Sequence, residues 1–154
     1  MGSGKSSVGR TFAKQRQSYF LDTDAMIESS EGRRIDEIFQ NDGEEYFRKL
    51  EENTVNWLKS NVQSSVISTG GGMLVYCEGL QEVGTIVYLK VPFASIMNRM
   101  SPEELKKRPL FKDREKAESI YNERNKIYES RADIVIDADA SLEEVGLRLS
   151  QAIA

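Results

Sequence analysis

Short apolar, β-branched runs recur along the chain: Tyr19-Phe20-Leu21, Val66-Ile67, Thr85-Ile86-Val87-Tyr88-Leu89 and Ile134-Val135-Ile136. Runs of this length and composition predict strands buried between covering layers. Between them apolar residues fall at helical spacing, Phe47, Leu50, Trp57 and Leu58 in one stretch and Ile120, Ile127 and Tyr128 in another. Val8, Phe12 and Ala13 give the inward face of a further helix starting at Lys5. Strands alternating with helices predict parallel βαβ units, hence an α/β fold with a parallel central sheet in a three-layer arrangement. With 154 residues, short polar links and no internal repeat, a single domain is expected.

One stretch breaks the rhythm. From Ser101 to Lys116 the chain reads SPEELKKRPLFKDREK, where Pro102 and Pro109 are expected to interrupt a helix. Its composition is that of a solvated surface loop. Its place after a strand and a helix also suits a mobile lid that brings arginines over phosphates.

Composition narrows the chemistry. Charged residues make up 30%, the formal net charge is −4, and no apolar run approaches a membrane span. No leader segment is readable, so the cytoplasm is the expected compartment, with neither membrane nor nucleic acid as partner. The absence of histidine removes Ser/His/Asp and Cys/His nucleophiles and His-ligated zinc. Acid/base work falls to carboxylates, Lys or Tyr. Cys77 stands alone and is expected to be a small packing residue.

The chain opens MGSGKSSVGR. Gly2 and Gly4 let backbone N–H groups turn around a phosphate, Lys5 adds a fixed cation, and Ser6 offers a hydroxyl to Mg²⁺. The helix behind them presents its positive end to the same anion. A flexible Ser/Gly-rich terminus reads alike in isolation, but loop, helix and strand follow here in the order of a P-loop protein. The strand that follows this helix ends in Asp22-Thr23-Asp24. At the carboxyl end of a parallel strand, one carboxylate suits Mg²⁺ and the other an attacking hydroxyl, although Asp is also a common helix N-cap. Arg48, in the helix opened by Asp42-Gly43-Glu44-Glu45, is either a binding residue or a surface partner of Glu44 or Glu52 four residues away. Gly70-Gly71-Gly72 after Ser68-Thr69 is either a plain loop or a place where a ligand or another segment comes close to the backbone.

Taken together, GSGKSSVGR, LDTD, IFQNDGEEYFRKLE, STGGG, KRPLF and ERNKIYESRAD resemble shikimate kinase, in order and in approximate spacing, along nearly the whole chain. The resemblance implies a P-loop kinase fold of the nucleoside-monophosphate-kinase type, with a substrate-binding helical subdomain over about residues 24–60 and a lid over about 101–116. It implies transfer of the γ-phosphoryl group of ATP to the 3-hydroxyl of shikimate, with Mg²⁺, by an enzyme expected to be a monomer. Gly2, Ser3, Gly4, Lys5, Ser6 and Ser7 would hold ATP, and Ser6 and Asp22 the metal's shell. Asp24 would bind the reacting hydroxyl and position it or act as base. Arg48 and Arg124 would grip the carboxylate, Gly71 and Gly72 would present backbone donors, Phe39 and Phe47 would line the ring pocket, and Arg108 would meet the phosphoryl group.

Two positions depart from the family pattern: Asn125 stands where proline is usual, and Asp137-Ala138-Asp139-Ala140-Ser141 carries no base-stacking residue. Met1 matches an internal methionine, so about ten further residues, a first strand and its turn, are expected upstream. The competing readings are a related kinase such as a gluconate kinase and a non-catalytic ligand-binding module.

Overall fold

A computed structural model describes residues 3–107 and 109–153. The chain divides into two compact units, Ser6–Ile86 and Val87–Ala154 together with Met1–Lys5. In order, the elements of the first part are α1 (Lys5–Gln15), β1 (Phe20–Asp22), α2 (Thr23–Glu31), α3 (Ile35–Asn61), β2 (Val66–Ser68) and the short α4 (Met73–Tyr76). The remainder forms β3 (Val87–Lys90), α5 (Phe93–Arg99), α6 (Pro102–Lys107), α7 (Arg114–Arg131), β4 (Ile134–Asp137) and α8 (Leu142–Ala152).

Each unit carries one parallel ladder. β1 pairs with β2 from Phe20↔Val66 to Asp22↔Ser68, and β3 pairs with β4 from Val87↔Ile134 to Lys90↔Asp137. The expected single sheet is therefore two two-stranded sheets, because each strand finds only one ladder partner among the described residues. Both are parallel, as the alternation of strands and helices requires.

In the Ser6–Ile86 unit, Val8, Phe12 and Ala13 are buried on one face of α1, as their spacing predicts. Gly9 lets the Phe20 ring lie against that helix, where a Cβ would come within 2.6 Å of Cε2. Ile27, Ile38 and Phe47 form a core cluster between α2 and the long α3. Gly43 breaks the regular backbone of α3 with φ 83° and ψ 174°, a conformation that an L side chain resists. The buried stripe then runs through Phe47, Glu51, Val55 and Leu58. Trp57, expected among the apolar positions of this helix, is 50% exposed because the stripe passes beside it.

In the other unit, α7 continues unbroken through Asn125. The Asn125 carboxamide accepts a bond from the Tyr88 hydroxyl at 2.8 Å, tying α7 to β3 where a proline would offer no acceptor on its side chain. Pro102 does not interrupt a helix; it opens α6, where a missing N–H costs nothing. Ser101 and Glu104 exchange backbone-to-side-chain bonds of 3.2 and 3.0 Å, forming a capping box around that start. No helix among the described residues is long and apolar enough to cross a membrane.

Candidate active site

The carboxyl ends of β1 and β2 bring the expected carboxylates and glycines together. Asp22 caps α2: its Oδ1 accepts from the N–H groups of Asp24 at 3.0 Å and Ala25 at 3.2 Å. Its Oδ2 lies 3.5 Å from the Ser6 hydroxyl on the first turn of α1. The fully buried Thr23 accepts at Oγ1 from the Gly70 N–H at 3.2 Å, fastening the end of β1 to the turn after β2. Ser68, in register with Asp22, is buried, and its Oγ has no hydrogen-bond partner among the described residues.

A hydroxyl and a carboxylate oxygen at this separation are the hard donors that Mg²⁺ accepts, too few to form a cage, as suits an ion that keeps waters and substrate phosphates. No group of three or more Cys, Asp or Glu side chains among the described residues could hold a metal alone. The residues present thus fit Mg²⁺ shared with a phosphate.

The glycine triplet makes room for side chains. A Cβ on Gly70 would come within 2.7 Å of Asp24 Oδ1 and 3.3 Å of Glu51 Oε1. A Cβ on Gly72 would collide with the Arg48 guanidinium, 2.8 Å from Cζ and closer still to Nη1. Asp24 and Arg48 therefore rest on opposite ends of one three-residue turn.

Arg48 is held by two carboxylates and lies against three aromatic rings. Nη1 donates to Glu51 Oε2 at 2.6 Å, and Nη2 and Nε donate to Glu44 Oε1 at 3.1 and 3.3 Å. Glu44 was one of the expected partners. Glu51 takes the place expected of Glu52, because position 51 lies on the buried stripe and Glu52 is exposed. Burial opposes the charge of Arg48, but the bonds and attraction of Glu51, then of Glu44, outweigh it and raise its pKa. The guanidinium carbon also lies 5.4 Å from the centroid of Phe47, 6.0 Å from Phe39 and 4.1 Å from Tyr76. Phe39 and Phe47 stack at 4.7 Å, Phe47 buried and Phe39 open to solvent on the edge of the cluster.

The remaining expected residues stand elsewhere. Gly4 enters α1 with φ 74°, and Lys5, Ser6 and Ser7 form the first helical turn behind Ser3. Gly71 lies between the two contact glycines. Arg124 lies midway along α7, partly exposed. Gly2 and Arg108 fall outside the described residues. Sequence reasoning missed Glu51 and Tyr76. A glutamate on the Phe47–Val55–Leu58 stripe was a readable signal for the first, whereas nothing local marked Tyr76. Cys77 is buried as expected, and desolvation followed by the charges of Glu51 and Glu52 pushes its thiol up to about 11.

Solved structures share this fold. A shikimate kinase from Aquifex aeolicus is 34% identical, with a TM-score of 0.83 over 99% of this chain and 91% of that one. A shikimate kinase from Acinetobacter baumannii, solved in complex with shikimate, is 30% identical, with a TM-score of 0.85 over 99% and 88% of the two chains. Fold and site define a P-loop kinase of the small-molecule type, with α/β architecture and parallel strands. A curated shikimate kinase from Helicobacter hepaticus is 42% identical over 97% of this chain and 89% of its own length. The family model described as "Shikimate kinase" matches residues 1–154, and the chain belongs to that family. It is accordingly an ATP- and Mg²⁺-dependent phosphotransferase whose acceptor is shikimate.

Proposed function

We propose that the chain places the 3-hydroxyl of shikimate against Asp24 and its carboxylate against Arg48, and transfers the γ-phosphoryl group of ATP to that hydroxyl, releasing ADP. The observation that supports this reading is the glycine turn. Asp24 packs on Gly70 and the Arg48 fork on Gly72, two glycines whose Cα atoms lie no more than about 7 Å apart, the reach of two residues, so one short turn carries both a base and a cation. A small ring bearing a hydroxyl and a carboxylate suits that pair.

Three N–H groups of Arg48 bond to Glu44 and Glu51, and a guanidinium has five. The other two suit a substrate carboxylate, each charged bond contributing roughly 1.5–3 kcal/mol. Two glutamates around one arginine leave a net negative cluster, so a second cation is needed, and we assign Arg124 to that role. Phe39 and Phe47 give the ring an apolar wall, and Gly71 and Gly72 offer backbone donors to the substrate.

Gly2, Ser3, Gly4, Lys5, Ser6 and Ser7 hold the ATP phosphates, Lys5 as the fixed cation. Ser6 and Asp22 would hold Mg²⁺, which when bound neutralises charge developing on the phosphates. Phosphoryl transfer needs little covalent help, so charge stabilisation by Lys5 and by Arg108 in the lid outweighs proton removal by Asp24. Asp24 acts chiefly by orienting the hydroxyl. The whole chain forms one catalytic domain, with a substrate-binding subdomain over about 24–60 and a lid over about 101–116, working as a cytoplasmic monomer.

The test is ADP release from Mg·ATP with shikimate, with gluconate and with no acceptor. Turnover dependent on shikimate is expected; equal turnover with gluconate would replace the acceptor assignment, and ligand binding without ADP release would make the chain a binding module.

A further inference from the structure

Arg48 has a third aromatic neighbour besides Phe39 and Phe47. Tyr76 ends α4, its ring centroid 4.1 Å from the guanidinium carbon, closer than either phenylalanine. Tyr76 lies one helical turn after Gly72, and its N–H bonds to the Gly72 carbonyl at 2.9 Å. The two positions therefore share a face of that turn. Gly72 supplies a gap that a Cβ would fill, and Tyr76 supplies a wall. The Arg48 guanidinium meets both, in a slot lined by Gly72 and the Tyr76 ring.

We infer that Tyr76 is a positioning residue for shikimate binding, which holds the plane of Arg48 so that its two remaining N–H groups face the substrate carboxylate. The inference rests on the assignment of Arg48 proposed above.

The physical argument is one of competing geometries. Glu44 is exposed and sits four residues from Arg48 on the same helix. Such a pair restrains a long side chain weakly. Glu51 fixes one nitrogen and leaves rotation about that bond open. A ring beneath the guanidinium carbon opposes this rotation without using an N–H, and its π-face attracts the cation. Tyr76 is itself 52% exposed, so the residue serves Arg48 more than the core. A flat aromatic is what the slot requires; the hydroxyl is incidental.

The test measures shikimate binding by calorimetry and shikimate KM, ATP KM and kcat by coupled assay for the unaltered protein, Tyr76→Leu, Tyr76→Phe and Arg48→Gln. It also uses a shikimate analogue with a carboxamide in place of the carboxylate. Tyr76→Leu should weaken shikimate binding by about three- to tenfold, the range of an interaction of this type. ATP KM and affinity for the carboxamide should be unchanged, and Tyr76→Phe should restore tight binding. Unchanged shikimate affinity in Tyr76→Leu would overturn the inference, as would equal weakening of the acid and the amide, which marks a general structural role. Unchanged affinity in Arg48→Gln would overturn the underlying assignment of the fork, and the inference with it.

Discussion

Glu51 Oε2 lies 2.6 Å from Arg48 Nη1, and only 1% of the Glu51 side chain is exposed. A buried carboxylate three residues from an arginine on the same helix is more than a surface pair, because neither partner can exchange the other for water at low cost. Arg48 itself is 21% exposed, open enough on one side to receive a ligand.

Removing that carboxylate should separate binding from folding. Glu51→Gln keeps an acceptor and is expected to weaken shikimate binding by roughly tenfold, the worth of one charge-assisted bond. Glu51→Ala should also lower stability by about 2 kcal/mol, less than a fully buried pair because Arg48 is partly solvated. Calorimetric titration and a denaturant melt check the two effects; unaltered binding in Glu51→Ala would remove Glu51 from the site.

Gly72 has ordinary helical angles, φ −88° and ψ −18°, so alanine is tolerated by the backbone. Its Cβ would nonetheless meet the Arg48 guanidinium. Gly72→Ala is predicted to raise shikimate KM by about 10- to 100-fold, as displacement of a positioning group by an ångström can, with the thermal midpoint nearly unchanged. A normal KM would show that the arginine steps aside without loss.

Asp22 joins a helix cap to the expected metal site, and two substitutions divide these roles. Asp22→Asn preserves a good cap and should keep stability while raising the Mg²⁺ concentration needed for half-maximal turnover. Asp22→Ala should in addition lose about 1 kcal/mol of stability. The Mg²⁺ dependence of ADP release decides; an identical curve in Asp22→Asn would take the residue out of the metal's shell.

The role proposed for Arg108 gives a prediction on turnover. Arg108→Ala is expected to reduce kcat by about 10³-fold, the lower range for a cation that meets a transferring phosphoryl group, with a smaller change in ATP KM. Steady-state kinetics near those of the unaltered chain would exclude the assignment.

Burial holds the Cys77 proton in the folded state, lifting its thiol from an ordinary 9.0 to about 11. The folded chain binds this proton more tightly than the unfolded one. The resulting stability is therefore complete below about pH 9 and is lost as pH rises through about 11. Native Cys77 should react slowly with thiol reagents at pH 8 and rapidly in denaturant. Cys77→Ala should flatten the alkaline arm of a stability profile. Rapid native labelling would show that the site opens without unfolding.

Much of the molecule was legible locally. Val8, Phe12 and Ala13 announced the buried face of α1, and each predicted apolar run contains or overlaps a strand. Asp22 could be read as metal ligand or cap, and the structure uses it as a cap with an oxygen turned to Ser6. Trp57 is half exposed despite its spacing, because a large apolar residue at approximate helical spacing need not lie on the buried stripe. Glu51 was passed over because a glutamate is ordinarily solvated.

The order of elements, the parallel pairing that such alternation requires, and the residue types suited to phosphate and carboxylate were all readable along the chain. These follow from periodicity and from side-chain chemistry, which act over a few neighbouring residues. Long-range packing set the rest: Gly70 and Gly72 yield their space to Asp24 and Arg48, Glu51 rather than Glu52 bonds the arginine, and the guanidinium carbon lies over the Tyr76 ring. Those contacts join α2, α3 and the turn after β2, segments distant along the chain. Their geometry depends on where the backbone places each side chain, and no local spacing records that.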